Sequence, residues 1–248
     1  MIAPPVRPAL LLIPGTLCDQ RMFVRQIKVL GPHSSVYCAS FKRLRDVSSW
    51  IDALLLRMPP RFSVAGFSLG GLLALELLRR APERVERLAM IGSNAQAGNL
   101  RSRRRSAWLQ KLWQARGAAV VAKQVKPDYF HHEAKRHAHQ RLVMQMAMQT
   151  TKRAAFAQFT WAAERPQGFD VMRSFTGPLL AVSGAQDGLC PLDWQQAMQA
   201  AQPCLVRCVL PRCGHFVPLE SPAKLNSSLI RWLNMPVVQS LKAQKAII

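Results

Sequence analysis

The chain has 248 residues, 49% of them hydrophobic and 19% charged, which is enough to bury one sizeable core or a core with an insertion, and it reads as globular. Thirty-four Lys and Arg against 13 Asp and Glu leave a net charge of +21, which suits either a solvated surface or an anionic partner: nucleic acid, acidic lipid headgroups, a carrier protein or a negatively charged substrate. No aromatic-interleaved basic ladder, zinc-finger spacing or RNA-binding sheet signature accompanies that charge, so no specific nucleic-acid recognition is expected.

At the N-terminus the apolar run Ala9 to Ile13 is too short for the hydrophobic region of an export signal, and prolines break it on both sides. The most apolar helical stretch, Leu69 to Leu78, carries Glu76 and falls far short of the ~20 residues a membrane span needs, so no membrane span is expected. Cys18, Cys38, Cys190, Cys204, Cys208 and Cys213 show no disulfide-framework spacing, which fits reduced thiols and a cytoplasmic protein.

Short apolar runs then alternate with amphipathic segments. The runs are Ala9 to Pro14, Ser35 to Ser40, Arg61 to Gly66 and Arg87 to Ser93, with helical patterns at Val47 to Met58 and Leu69 to Arg80. From about Ala97 to Asp170 only helical stretches appear, with a dense basic cluster at Arg101, Arg103, Arg104 and Arg105 that reads first as a wet helix face. Alternation resumes with Gly177 to Gly184, a helix near Leu192 to Ala201, Cys204 to Leu210 and a last helix from Pro222 to Leu233. The tail beginning at Val237 reads as a frayed helix. The pattern predicts an α/β architecture: a mostly parallel sheet of about six strands with helices on both faces and an inserted helical lid. The division is 1–96 for the first part of the core, 97–170 for the lid and 171–248 for the second part.

Gly66-Phe67-Ser68-Leu69-Gly70 fits G-x-S-x-G, with a strand before it and a helix after it. A serine on so sharp a turn is held out at the sheet's C-terminal edge, and the Leu69 amide then sits at a helix N-terminus, aimed where an oxyanion forms. A serine hydroxyl needs a base, and the base needs an orienting group. Asp187 directly follows one strand-like run and His215 follows the last, so both side chains are expected at the same edge as Ser68. Asp187 could instead open a turn and His215 could be an ordinary loop histidine; the order Ser, Asp, His favours the joint reading. Asp170 precedes a strand, and Asp193 is expected to cap the next helix. A second oxyanion donor should come from the loop after the first strand, Thr16 first and Leu17 as the fallback, although a plain tight turn would look the same.

Two metal readings are weak. Cys204 to Cys208 lies in a strand-like run, where four residues span ~13 Å, too far for one zinc ion shared with Cys213 and His215. His132 and His137, five apart, stand about 140° from each other around a helix, unlike a zinc-binding H-E-x-x-H pair. No metal and no cofactor is expected. Met144, Met146, Met148, Trp108, Trp113 and Trp161 read as core filler before acyl-chain pocket.

The strand-loop "LLLIPGTLCD", the elbow "VAGFSLGG", the helix end "RRAPERVERLAMI", the acid loop "SGAQDGLCP" and "CGHFVPLESP" together resemble the alpha/beta-hydrolase superfamily over roughly residues 9 to 96 and 171 to 233. The resemblance implies Ser68 as nucleophile, His215 as general base and acid, Asp187 as its orienter, and the Thr16 and Leu69 amides as oxyanion donors. Serine rather than aspartate at the nucleophile position disfavours the haloalkane dehalogenase and epoxide hydrolase branches. "PGT" replaces the common His-Gly pair, and "CASFKRLRDVSS" lacks the usual Gly-rich loop after the second core strand. The expected activity is cofactor-free hydrolysis of small carboxylic esters through an acyl-enzyme. One alternative is a methyl esterase or thioesterase directed to an acidic acyl carrier protein by a basic lid; the other is a non-catalytic hydrolase-fold protein holding an anionic partner.

Overall fold

The computed structural model describes residues 7–125, 129–131 and 133–237, with only the backbone of 133–135. His132 and almost all of the C-terminal tail, both read above, lie outside the described residues, as do residues 1–6. Six strands, β1 (Ala9–Ile13), β2 (Ser35–Cys38), β3 (Phe62–Phe67), β4 (Val85–Ile91), β5 (Leu179–Gly184) and β6 (Val206–Leu210), form one sheet in the order β2-β1-β3-β4-β5-β6. Every pairing is parallel.

Burial explains that order. Strands β1, β3 and β5 are buried at every position, which is why they read as unbroken apolar runs, whereas the edge strands β2 and β6 carry exposed and half-buried residues. Because side chains alternate across a strand, Leu11, Ile13, Val64, Leu88 and Met90 fall into one core cluster and Leu10, Leu12, Ala65, Phe67 and Ala89 into another. The first face is covered by α2 (Val47–Leu55), α3 (Leu69–Arg80) and α8 (Leu192–Ala201); the second takes α1 (Val24–Leu30) and α10 (Pro222–Leu233).

Between β4 and β5 the chain runs through α4 (Leu100–Val125), α5 (Glu133–Met148), α6 (Lys152–Glu164) and α7 (Phe169–Ser174). Gly117, at φ +77°, breaks α4 in two. A third apolar cluster gathers Leu109, Trp113 and Val121 of α4 with Ala147 of α5 and Ala155 and Phe159 of α6, and it closes around one residue from the loop after β1, Leu17. Position 170/171 falls inside α7, whose Val171 and Met172 are buried in the first core cluster while Asp170 pairs with Arg79 of α3 at 2.8 Å. Among the described residues no helix is long and apolar enough to cross a membrane.

Two local readings are corrected. Asp193 caps nothing: Pro191 is the residue before α8, and Asp193 sits inside its first turn, where a carboxylate still complements the helix dipole. Trp108 and Met148 are not core filler, being 45% and 47% exposed, while Trp113 and Met146 are buried. The loss at Trp108 and Met148 follows from helix phase: both lie on the outer faces of α4 and α5, a feature residue type alone does not report.

Candidate active site

The strand order reverses between β1 and β3, since the chain leaves β1 outward to β2 and then returns to β3. In open parallel sheets, that switch point is where the C-terminal strand ends splay to leave a crevice. Ser68 follows β3 and Thr16 follows β1, so both stand at its rim.

Ser68 adopts φ +53°, ψ −115°, a backbone conformation that a residue with a Cβ takes only when its surroundings force it. The Ser68 N–H donates to the Ile91 carbonyl at 2.8 Å, and the Ser93 hydroxyl donates to the Ser68 carbonyl at 2.8 Å. The flanking glycines let strand and helix close on each other: a Cβ on Gly66 would lie 2.1 Å from the Gly70 carbonyl oxygen, and one on Gly70 would lie 2.0 Å from that of Ile13. Leu69 is the first residue of α3, so its N–H has no acceptor within the helix.

His215 lies in the loop after β6, 2% exposed, with Nε2 3.1 Å from Ser68 Oγ and Nδ1 2.9 Å from Asp187 Oδ2. Asp187 follows β5 and is also buried; its Oδ1 accepts the N–H groups of Leu189 and Cys190, each at 2.9 Å. An ionised carboxylate only accepts, so Nδ1 carries the imidazole proton and Nε2 presents its lone pair to the serine hydroxyl, which donates to it. The rings of Phe67, Tyr129 and Phe216 pack around the imidazole. The three side chains that sequence reasoning singled out therefore meet in one hydrogen-bonded line. Such a line can move a hydroxyl proton onto a ring nitrogen while the ring keeps its orientation.

Two residues of the site were not singled out. Glu220, in the short α9 (Val217–Glu220), accepts the N–H groups of Gly214 at 2.9 Å, Phe216 at 3.0 Å and His131 at 2.7 Å, and so shapes the loop that carries His215. Gln158, 1% exposed on α6, accepts the Leu17 N–H at 2.8 Å. That bond takes up the amide of the fallback donor Leu17. A carboxylate five residues after a loop histidine was visible in the sequence; nothing there paired position 158 with position 17.

A cavity of about 270 Å³ lies over Ser68 and His215. Thr16 and Phe67 contribute from the sheet edge, and Ser106, Leu109 and Gln158 from α4 and α6 above it. Arg105 and Arg165 reach the same cavity, while Arg103 and Arg104 are exposed on α4. Two larger cavities, of about 350 and about 880 Å³, lie beside β2 and include none of Ser68, Asp187 and His215.

Ligand atoms of Asp187, Cys190 and His215 approach within 4.8 Å of one another, the one such trio among the described residues. Their chemistry does not fit a metal. Burial, with Asp187 beside it, pushes the Cys190 thiol well up toward its neutral form, and both Asp187 oxygens already accept hydrogen bonds. Cys204, exposed in the turn before β6, joins no such cluster among the described residues. No disulfide joins any of the six cysteines.

A model of the alpha/beta hydrolase family matches residues 10–227. Two curated relatives match locally. A pimeloyl-[acyl-carrier protein] methyl ester esterase of Aromatoleum aromaticum is 50% identical over 48 residues, 19% of this chain and 19% of that one. A protein of the same name from Nitrosomonas europaea is 36% identical over 75 residues, 30% of this chain and 28% of that one. The matched stretches thus span less than a third of either relative. Among solved structures, an esterase from Thermogutta terrifontis superposes with a TM-score of 0.82 at 20% identity, covering 92% of this chain and 90% of that one. The enol-lactonase from Burkholderia xenovorans LB400 gives 0.81 at 17%, covering 92% of each chain. At those identities the likeness is one of fold.

Proposed function

The chain belongs to the alpha/beta hydrolase family, and on that premise we propose that it is a cofactor-free serine hydrolase of carboxylic esters, with Ser68, His215 and Asp187 as its catalytic triad and the Thr16 and Leu69 amides as its oxyanion donors. The observation that carries the reading is the unbroken line from Ser68 Oγ through His215 to Asp187 beneath a small cavity. Helices α4 to α6 act as the lid; that role keeps the first division of the chain at about 97 and moves the second from 170 back toward the end of α6, since α7 packs into the first core cluster.

Ser68 Oγ attacks the acyl carbon as its proton passes to His215 Nε2, and the carbonyl π pair moves onto oxygen. The Thr16 and Leu69 N–H groups hold that oxyanion. Collapse expels the alkoxide, which takes the proton from Nε2, and the acyl group stays on Ser68. Water then gives a proton to Nε2 and its oxygen attacks the same carbon. The second collapse returns the proton to Ser68 Oγ and frees the acid. Asp187 keeps Nδ1–H in place throughout and stabilises the transient imidazolium. Turnover of short p-nitrophenyl esters by the wild type, with Ser68→Ala as the blank, tests this; equal rates in the two proteins overturn it.

A second reading narrows the substrate to an ester on an acidic acyl carrier protein in the cytoplasm. It is favoured by the names of the two locally matching relatives and by Arg103, Arg104 and Arg105 lying exposed in a row on α4 of a chain of charge +21. Reversing Arg103 and Arg104, which do not line the cavity that Arg105 reaches, to Glu should weaken turnover of a carrier-bound methyl ester in a salt-dependent way more than that of a free one. Equal loss on both counts against it. A purely non-catalytic role as an anion holder gives no reason for Ser68, His215 and Asp187 to stand in hydrogen-bond contact, and absence of active-site labelling with tight polyanion binding would revive it.

A further inference from the structure

The loop after β1 is held from above rather than from the sheet. Its turn closes with the Cys18 N–H donating to the Gly15 carbonyl at 3.0 Å, and Leu17, the third residue of that turn, sits at φ +51°. A turn with positive φ at its third position normally carries glycine or asparagine there. Leucine holds it because both ends of the residue are fixed by the helices between β4 and β5. Its side chain, 0% exposed, is enclosed by Leu109, Trp113, Val121 and Phe159, and its N–H donates to Gln158 Oε1 at 2.8 Å across 141 residues of sequence.

The two halves of the Gln158 amide are treated differently. Oε1 is engaged by Leu17, whereas Nε2 is buried with no hydrogen-bond partner among the described residues. An apolar side chain of the same size would avoid that unsatisfied donor, so packing alone gives no reason for glutamine here. Among the described residues the one polar contact the side chain makes is to the turn whose residue Thr16, just before Leu17, lines the cavity over Ser68.

We propose that Gln158 is a positioning residue: by accepting the Leu17 N–H it fixes the Gly15–Cys18 turn so that the Thr16 N–H is aimed at the developing oxyanion, and it makes the seating of α6 a condition of catalysis. The inference rests on the reading of Thr16 as an oxyanion donor. Gln158 acts through Leu17, so its effect falls on the transition state and not on the resting ester, whose carbonyl oxygen occupies a different position.

The test compares wild type, Gln158→Leu and Gln158→Glu. Leucine keeps the volume and removes the acceptor; glutamate keeps an acceptor oxygen. On a short p-nitrophenyl ester, Gln158→Leu should lower kcat by about 10- to 100-fold with KM changed less than about threefold, and the affinity of a boronic acid that forms a tetrahedral adduct on Ser68 should fall in step with kcat. Gln158→Glu should recover most of the kcat. Deuterium exchange of the peptide covering residues 13–19 should rise in Gln158→Leu and return toward the wild-type rate in Gln158→Glu. A loss confined to KM or to the melting temperature, or unchanged exchange of that peptide, overturns the proposal. The exchange readout needs no substrate, so a wild type that turns over no ester would sink the hydrolase reading while the positioning bond is still judged.

Discussion

The Nε2 of His215 lies 3.1 Å from the Oγ of Ser68, although 147 residues separate them in the chain. The contact exists because β3 and β6 both end at the same edge of a parallel sheet and because the loop after β6 is tied down by Glu220. In the proposed mechanism, Ser68→Ala takes away the atom that would form the acyl-enzyme and His215→Ala the base that would activate it. Each should lower ester turnover by ~10⁴-fold or more. Together they should cost little more than either alone, since the two act as a unit. A fluorophosphonate probe should label the wild type and leave Ser68→Ala unlabelled, as read by intact-protein mass.

Asp187→Asn tests the orienting role proposed for Asp187. The asparagine oxygen can still accept the Leu189 and Cys190 N–H groups, so the loop and the fold should persist, with little change in melting temperature. The amide NH₂ that then faces His215 Nδ1 favours the tautomer with its proton on Nε2, which leaves no lone pair for Ser68. Turnover should drop by ~10³–10⁴-fold with KM little altered. Full activity in this variant would remove Asp187 from the mechanism.

The sheet was legible because burial on both faces forces apolar runs: β1, β3, β4 and β5 could be read from Ala9, Arg61, Arg87 and Gly177 onward to within a few residues. That Ser68, Asp187 and His215 meet was legible for a related reason, since each follows such a run and parallel strands bring their ends together. The bonds at Gln158 and Glu220 were not. Gln158 accepts the Leu17 N–H and Glu220 accepts the His131 N–H from distant loops, and those pairings depend on how the helices between β4 and β5 dock, which neither composition nor periodicity encodes; the bonds from Gly214 and Phe216 to Glu220 are local to the loop after β6. The misplaced Asp193 shows the same limit at shorter range: Pro191 took the position before the helix, and a shift of two residues turned an expected cap into a first-turn charge.

Gly70→Ala should be among the most damaging single-methyl additions in the molecule. The new Cβ would stand 2.0 Å from the Ile13 carbonyl oxygen, an atom of the backbone of a central strand that no rotamer change can move. Helix propensity alone favours alanine by about 1 kcal/mol. The steric cost should reverse that sign and leave the variant about 1–3 kcal/mol less stable or insoluble, as measured by urea unfolding. A variant as stable as the wild type would contradict the close approach of α3 to β1.

Thiol reactivity should separate the cysteines by environment. Burial pushes Cys38 up to about 12, and burial with the nearby Glu220 and Asp187 carboxylates pushes Cys213 up to about 12. Cys190 is raised as well, by burial first and Asp187 second, whereas Cys204 is exposed. The thiolate is the reacting form. At pH 8 an aromatic disulfide reagent should therefore modify Cys204 in the native protein and leave Cys38, Cys190 and Cys213 unreacted until denaturant is added. Rapid native labelling of Cys190 would argue against its burial beside Asp187.

Asp19 supplies a pH-dependent contribution to stability. Burial opposes its ionisation, but hydrogen bonds from the Arg21 side chain and backbone, and the Arg21 charge, outweigh that and hold the carboxyl below the usual aspartate range. Asp19 Oδ2 lies 2.6 Å from Arg21, which also reaches Gln149 at 2.7 Å and so ties the loop after β1 to the end of α5. A carboxyl with a depressed folded pKa stabilises the fold fully above its unfolded value, about 3.9, and loses that contribution as the pH falls through the folded value. Both side chains are partly exposed, so the pair is worth less than about 1 kcal/mol. Asp19→Asn should therefore be slightly less stable than wild type at pH 7, and the gap should close from about pH 4 downward. Urea unfolding of both proteins across that range measures it; a gap that widened on acidification would show that Arg21 does not hold the Asp19 charge.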